Sequence, residues 1–260
     1  MRSRGRTWAS IAAAAAGLGG LIAAGAPAAA SPIDELATPE LACFDTPGPA
    51  LRLELWLTQL DPALVQLGAT PHGAVVRELV QTCVAVRRRG GPDPDAASAV
   101  PPVDLACYRI DAAPLPEPAT LTVARHDPML ALLPGHAATL VQPVELCLPV
   151  ARNGAVPPPD VRRLVQAIAL ECYAVAPAER RQICVPVAKN SERIPRDVLG
   201  VVRRIGVEKL AASRPLAAPG ARVVLRHLNP LLATLPVMPV VLDRAHERMV
   251  PVALLAAPGE

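Results

Sequence analysis

The sequence predicts a mainly β protein with two short amphipathic helices, in which β-rich repeats stack in a sandwich-like or barrel-like arrangement and are stapled by disulfides. The 31 prolines among 260 residues disfavour a bundle of long helices, because proline ends or kinks a helix. Short valine-rich runs alternate apolar and polar residues with the period of a strand. Six cysteines recur at regular spacing, which indicates repeated units held by disulfides.

Residues 1–30 have the pattern of a secretory signal peptide. Three arginines precede an apolar run of small residues, and three alanines before Ser31 form a cleavage pattern. This segment holds three of the 26 basic residues and none of the 23 acidic ones, so a mature chain carries 23 of each. Such a neutral chain lacks the basic surface that nucleic acids require. We therefore expect a secreted protein, periplasmic or extracellular, with no nucleic-acid partner.

No stable membrane span is expected after signal cleavage. The best candidate, the stretch 229–242, is short and contains three prolines, whereas a spanning helix needs about 20 apolar residues. Only two of the 26 basic residues are lysines, and alanine, proline and glycine are abundant. This composition is typical of a GC-rich bacterial genome.

The cysteine spacing predicts four repeat units. The cysteines lie at positions 43, 83, 107, 147, 172 and 184, so the first two pairs have the same spacing and the first cysteines of successive units recur at nearly equal intervals. In a fourth unit Lys209 and Met249, again with that spacing, stand where the cysteines would be. The predicted organisation is a signal peptide at 1–30, repeat units at 31–93 and 94–157, a truncated unit at 158–194, and a unit without cysteines at 195–260.

The six cysteines are predicted to form disulfides within their own units. Paired cysteines in a secreted protein normally do so, and the joint loss of both positions in the fourth unit is expected if the two bond each other. The predicted bonds are Cys43–Cys83, Cys107–Cys147 and Cys172–Cys184. Six cysteines allow 15 connectivities, so bonds between units stay open as an alternative. Because there is no Cys-x-x-Cys pair and no histidine at ligand spacing, no metal and no cofactor is expected.

Each full unit is predicted to have three strands. The first and last strands carry the cysteines, and the middle strand, at 51–57, 119–124 or 221–226, precedes an Asp-Pro or Asn-Pro turn. The two cysteines of the third unit are too close in sequence to leave room for a middle strand, which predicts a bare hairpin. Prolines in the last strands are expected at edge or terminal positions, because proline cannot donate to a ladder. Arg-Gly, Asn-Gly and Asn-Ser after the last strands predict tight turns.

Two helices are predicted between the units. Asp160 and Asp197 each precede an apolar stripe at i, i+3, i+4 and i+7 and are predicted as N-caps. A single helical turn is expected after each turn proline, for instance at 129–133. The four aromatic residues of the mature chain are predicted to lie in the core: Phe44, Trp56, Tyr108 and Tyr173. Both one-lobed and two-lobed arrangements of the units fit this pattern.

The sequence contains no motif that assigns a catalytic residue, since it has neither a Gly-x-Ser-x-Gly elbow nor a His-Glu-x-x-His helix. Our leading hypothesis is an exported, non-enzymatic binding or structural repeat protein with an unknown protein or cell-envelope ligand. One alternative is a small secreted hydrolase whose site is assembled from Asp243, His246 and Glu247. A further alternative is a secreted enzyme inhibitor that presents a loop at 90–101.

The closing motifs of the second and third units resemble those of a bacterial family. The chain reads Leu-Cys-Leu-Pro-Val-Ala-Arg-Asn-Gly at 146–154 and Ile-Cys-Val-Pro-Val-Ala-Lys-Asn at 183–190. These motifs resemble an uncharacterised family of secreted Cys-repeat domains, found in myxobacterial exported proteins, whose units pair a Cys-Tyr strand with Leu-Cys-x-Pro-x-x-Lys-Asn-Gly. The resemblance extends by unit over residues 40–255. It departs from the family where the first unit lacks the proline, the third is truncated and the fourth has no cysteines. It implies secretion and a β-rich repeat fold, with no catalytic residues to transfer.

Overall fold

The computed structural model describes residues 40–86, 103–125, 134–177, 181–233 and 235–256. The predicted signal peptide, the loop at 90–101 and the helical turn at 129–133 lie outside the described residues. The described part has ten strands, which are β1 Leu41–Asp45, β2 Ala50–Gln59, β3 His72–Ala85, β4 Asp104–Ala112, β5 Ala119–Arg125, β6 His136–Arg152, β7 Leu170–Ala176, β8 Arg181–Lys189, β9 Gly206–His227 and β10 Met238–Ala256. The prediction of a mainly β chain is confirmed.

Three short helices accompany the strands: α1 Pro62–Gln66, α2 Pro159–Ala167 and α3 Arg196–Val202. The two predicted helices are α2 and α3, and α1 is an additional helix that follows a turn proline. A 3-10 turn, Pro230–Leu232, follows the corresponding proline near the end of the chain.

The predicted N-caps of α2 and α3 were wrong. The caps are Pro158 and Pro195, so both helices begin earlier than expected and the two aspartates lie inside the first turn. There the carboxylate of Asp197 interacts favourably with the positive end of the helix dipole. Asp61 is a true cap, since its Oδ1 accepts hydrogen bonds from the first backbone N–H groups of α1.

Eight strands close into a ring. Antiparallel pairing runs in the order β1, β3, β4, β6, β7, β8, β9, β10 and returns to β1. Each of the four predicted units contributes two neighbouring strands to this ring, and one hydrogen-bonded sheet joins all ten strands. The closed ring corresponds to the barrel-like form of the predicted architecture. The repeat interpretation and the unit boundaries stay predictions.

The middle strands lie outside the ring and brace it. β2 pairs with β3 and β8, and β5 pairs with β6 and β10. The second half of β9 pairs with the first half of β10 and with the end of β6. Each middle strand therefore joins its own unit to the last strand of the unit two places away. The third unit consists of the hairpin β7–β8 alone, as the short cysteine spacing predicts.

Prolines of the last strands occupy a position that the sequence analysis did not foresee. Pro149 lies inside β6, after the last residue that pairs with β7 and before the first that pairs with β9. Its carbonyl accepts from the N–H of Leu228 at 3.1 Å, and the carbonyl of Pro186 accepts from Leu60 at 3.0 Å in the same way. Pro149, which lacks an N–H group, therefore lies between the end of the pairing with β7 and the start of the pairing with β9. The expected edge or terminal positions were wrong because each last strand has partners on both sides.

Core residues fall on both faces of the ring. The interior cluster contains the six cysteines and the apolar faces of α2 and α3, and two outer clusters lie between the ring and the middle strands. Phe44, Tyr108 and Tyr173 are buried in the outer clusters, as predicted. Trp56 is 52% exposed, so its assignment to the core was wrong. The alternation of β2 turns its neighbours Leu55 and Leu57 inward and leaves the indole on the outer face.

Candidate functional site

The six cysteines form a row inside the ring, on six successive strands from β1 to β8. All six are fully buried. The structure contains the bonds Cys43–Cys83, Cys107–Cys147 and Cys172–Cys184. Each disulfide joins residues that lie directly opposite in the strand register. The bonds therefore lie within units, which is the arrangement that the spacing predicts, and not between them.

Neighbouring disulfides are also in contact with one another. The Sγ atoms of Cys83 and Cys107 are 3.9 Å apart, and those of Cys147 and Cys172 are 3.7 Å apart. In each case the two cysteines are diagonal neighbours on adjacent strands, because Cys107 pairs with Gln81 and not with Cys83. The six sulfur atoms thus form a continuous line, which we call the sulfur row.

Lys209 and Met249 occupy the fourth pair of positions. They lie directly opposite each other on β9 and β10, and both are buried. The Lys209 Nζ donates to Glu145 Oε2 at 2.6 Å and lies 3.3 Å from Glu247 Oε2. A buried ammonium group is tolerated only when it is paired. An ion-paired lysine thus stands where the other units have a disulfide.

A polar layer lies beside the sulfur row, formed by the residues two positions before the second cysteine, or before Met249: Gln81, Glu145, Gln182 and Glu247. The Nε2 of Gln81 donates to Glu247 Oε2 at 2.9 Å and to Asp45 Oδ1 at 3.1 Å. The Nε2 of Gln182 donates to Glu145 Oε1 at 3.1 Å. The layer carries two carboxylates against one ammonium group, and its hydrogen bonds tie the ring strands together across the interior.

The interior offers one cluster with the spacing of a metal site among the described residues. Ligand atoms of Cys107, Glu145 and Cys147 lie within 4.8 Å of one another. Metal ions bind the thiolate form of cysteine, and both sulfur atoms are already joined in a disulfide. These residues therefore do not fit a metal ion while the disulfide is intact.

Outside the ring, Glu171 forms a buried hydrogen-bonded cluster. Its Oε2 accepts from Gln59 Nε2 at 2.5 Å and from the Tyr173 hydroxyl at 2.7 Å, and its Oε1 accepts from His72 Nε2 at 2.8 Å. The hydrogen bond to this carboxylate raises the pKa of His72 above its ordinary value. Burial, followed by the charge of Glu171, raises the pKa of Tyr173. The cluster connects β2, β3 and β7.

Glu208 forms a second pair of this kind. Its Oε1 lies 2.9 Å from His136 Nε2 and 3.5 Å from Arg181 Nε. Sequence analysis missed both carboxylate–histidine pairs. Two signals were present in the sequence. His72 and His136 precede the second cysteines of their predicted units by the same number of positions. In the predicted third and fourth units, glutamate replaces the alanine that precedes the first cysteine position.

A third buried contact joins β4 to the second half of β9. The Tyr108 hydroxyl and His227 Nε2 are hydrogen-bonded at 2.7 Å, and their rings are 5.7 Å apart. Burial lowers the pKa of His227 to about 4 and raises the pKa of Tyr108. No carboxylate contributes to either shift, so the imidazole is held in its neutral form.

The three residues of the hydrolase alternative have different surroundings. Glu247 is bound by Gln81 and Lys209 in the polar layer. The exposed imidazole of His246 lies 4.0 Å from Asp45, and Asp243 is exposed on β10. The structure therefore does not assemble these three side chains into one catalytic arrangement.

No protein-family model, curated protein or solved structure matches this chain. The resemblance to the secreted Cys-repeat domains accordingly stays an expectation. Among the described residues, no helix has the length and apolar character needed to cross a membrane.

Proposed function

We propose that this chain is an exported binding or structural protein, in which the disulfide-stapled ring is a rigid scaffold for a protein or cell-envelope ligand. The observation that carries the proposal is the burial of all six cysteines in three disulfides inside the ring. Such bonds persist in oxidising compartments and are rare in the reducing cytoplasm. This agrees with the predicted signal peptide at residues 1–30.

The buried polar contacts support a structural role for the groups that would otherwise suggest catalysis. Gln59 on β2 bonds Glu171 on β7, and Tyr108 on β4 bonds His227 on β9. Both contacts fasten a middle strand to the ring. Buried and hydrogen-bonded in this way, the side chains stabilise the fold and are not presented to a substrate.

We also infer that the four stretches are copies of one unit. Three cysteine pairs and the Lys209–Met249 pair occupy the same directly opposed positions in successive strand pairs of the ring. The middle strands of the first, second and fourth units each reach the unit two places away. This common arrangement supports a repeat origin for the whole ring.

Export and oxidation are tested together by expressing the full chain in a bacterial host and fractionating the cells. We expect protein in the periplasm or medium that begins at Ser31 and has no alkylatable thiol. Reduced protein with an intact N-terminus, found only in the cytoplasm, would contradict the proposal. Binding is then tested by co-sedimentation of the oxidised chain with isolated cell envelopes. We expect saturable binding that is lost after reduction, and its absence would remove the envelope as partner.

The hydrolase alternative is tested with generic ester, peptide and glycoside substrates. We expect no turnover by the purified, oxidised chain. Turnover that is lost in Glu247→Gln but kept in Glu145→Gln would establish the alternative. Both variants remove one carboxylate from Lys209, so this comparison separates a chemical role of Glu247 from a loss of stability.

A further inference from the structure

Four of the six cysteines in the sulfur row have a second sulfur atom within contact distance. Cys83 and Cys107 face each other across 3.9 Å, and Cys147 and Cys172 across 3.7 Å, although each is bonded to another partner. The remaining two, Cys43 and Cys184, lie at the ends of the row and are bonded inward. The row therefore alternates bonded and non-bonded sulfur contacts over six strands.

We propose that the sulfur row is a thiol–disulfide exchange path, along which a free thiol at one end is converted into a free thiol at the other. This inference rests on the sulfur positions alone and does not depend on the function proposed above. The proposal gives the sulfur row a chemical role in addition to its structural one. In it the cysteines are linked either as in the structure or as Cys83–Cys107 and Cys147–Cys172.

The exchange conserves bonds and electrons at each step. The path begins when an external thiol reductant opens Cys43–Cys83 and is itself oxidised to a disulfide, which leaves a thiol on each cysteine. The Cys83 thiolate then attacks the Sγ of Cys107, so that the Cys83–Cys107 bond forms and the Cys107–Cys147 bond breaks. The electron pair leaves on Cys147, which takes up a proton in place of the one that Cys83 lost. Cys147 then attacks Cys172 in the same way and releases Cys184. After the entry step the number of disulfides in the chain is unchanged, so exchange along the row consumes no further oxidant or reductant.

Enclosure of the row favours this internal reaction over attack by outside thiols. All six sulfur atoms are buried, so the nearest nucleophile for any disulfide is its neighbour in the row. Groups held at near-contact distance react with very high effective concentrations. Diagonal neighbours on adjacent strands are also close enough for long side chains to interact.

A pair of single variants tests the path without added reductant. Cys43→Ser leaves Cys83 as a free thiol beside Cys107, whereas Cys83→Ser removes the same disulfide but leaves Cys43 free at the end of the row. After incubation under native conditions, the protein is quenched and unfolded in acid, labelled with a thiol reagent and mapped by mass spectrometry. We expect Cys43→Ser to lose part of the 107–147 link and to carry label distributed over Cys83, Cys147 and Cys184. In Cys83→Ser the label should stay on Cys43.

Folding of both variants is checked by near-ultraviolet circular dichroism before labelling. A folded Cys43→Ser protein with label confined to Cys83 would overturn the proposal. Equal scrambling in both variants would also overturn it, because exchange would then not follow the row. If either variant fails to fold, the native protein is treated with less than one equivalent of a trialkylphosphine. We then expect 83–107 or 147–172 links to appear. If native links are partly lost and neither new link forms, the proposal is overturned.

Discussion

His72, which is partly buried, and His227, which is buried, show how neighbouring residues shift the pKa of one kind of side chain in opposite directions. His72 donates to a carboxylate, and its pKa is raised. His227 is buried against the phenol of Tyr108, and its pKa is lowered to about 4. The stability that His72 contributes is present below its unfolded pKa and is lost as pH rises through the folded pKa. The stability that His227 contributes has the opposite dependence on pH. It is present above about pH 6.5 and is lost as pH falls toward 4.

Replacement of His227 by glutamine should reduce the acid sensitivity of the fold. Glutamine still offers Tyr108 a donor and an acceptor but cannot be protonated. Between pH 6.5 and 4 we expect the native chain to lose up to about 3 kcal/mol more free energy of unfolding than the His227→Gln variant. Urea unfolding at both pH values measures this, with exposed His246→Gln as a control that keeps the native dependence. Parallel losses in the native chain and His227→Gln would contradict the assignment.

At the scale of elements, two asparagine turns hold the ends of middle strands. Asn153 and Asn190 follow the last strands of their units and have φ of 51° and 47°, a region that asparagine tolerates better than most residues. The Oδ1 of Asn190 accepts from the N–H of Trp56 at 2.8 Å, and Asn153 accepts from Val224 at 2.9 Å. The backbone N–H of each asparagine donates back to the same residue. A local turn in one predicted unit thus fixes a strand of another predicted unit.

The two contributions of Asn190 can be separated by substitution. Asn190→Gly keeps the left-handed backbone and loses the side-chain acceptor, which should lower the free energy of unfolding by about 1 kcal/mol. Asn190→Ala loses the side-chain acceptor and also disfavours the left-handed backbone. It should therefore lower the free energy of unfolding by about 1 kcal/mol more than Asn190→Gly does. Hydrogen exchange at the Trp56 N–H should accelerate in both variants and stay unchanged in Asn153→Gly. Unchanged exchange at Trp56 in both Asn190 variants would show that the side chain does not hold the strand.

Local features were predictable from the sequence, whereas distant pairings were not. The middle strands, the bare hairpin and the two helices follow from periodicity and turn residues within short windows. The partners of the middle strands lie two units away, and similar units give no signal that distinguishes one from another. Pro149 was misplaced for that reason, since its position depends on which strands lie beside β6. Trp56 was misplaced for a local reason, because the alternation of β2 turns Leu55 and Leu57 inward and the indole outward. The buried clusters of Glu171 and Glu208 likewise need the closed ring to bring their histidines near.

At the scale of the whole molecule, four cross-strand pairs at matching positions line the ring, and only three are covalent. The fourth pair, Lys209 and Met249, lies in the same register as the cysteines. In place of a disulfide, Lys209 is paired with the carboxylates of Glu145 and Glu247. Among the described strands, β9 and β10 are therefore the neighbouring pair of the ring that carries no disulfide at this position.

A fourth disulfide should form in the double variant Lys209→Cys/Met249→Cys. Directly opposed positions in the register of the native disulfides meet the geometric requirement. Because it closes a loop as long as that of Cys43–Cys83, it should raise the free energy of unfolding by about 4 kcal/mol over the matched Lys209→Ser/Met249→Ser control. Alkylation without reduction, followed by urea unfolding, measures both outcomes. Two free thiols in the oxidised, folded variant would show that the fourth position differs in register from the other three.

We expect the ring to close between β1 and β10 after the disulfides have formed. A contact across that seam, Arg248 with Glu40, joins residues 208 positions apart, whereas the disulfides span separations of 40, 40 and 12. Contacts between such distant residues form late, and β10 is synthesised after every cysteine has emerged. The cysteines can therefore be oxidised while the seam is open, before its closure buries them inside the ring. If the chain is exported as proposed, an oxidising enzyme would reach these thiols more readily before the ring is complete.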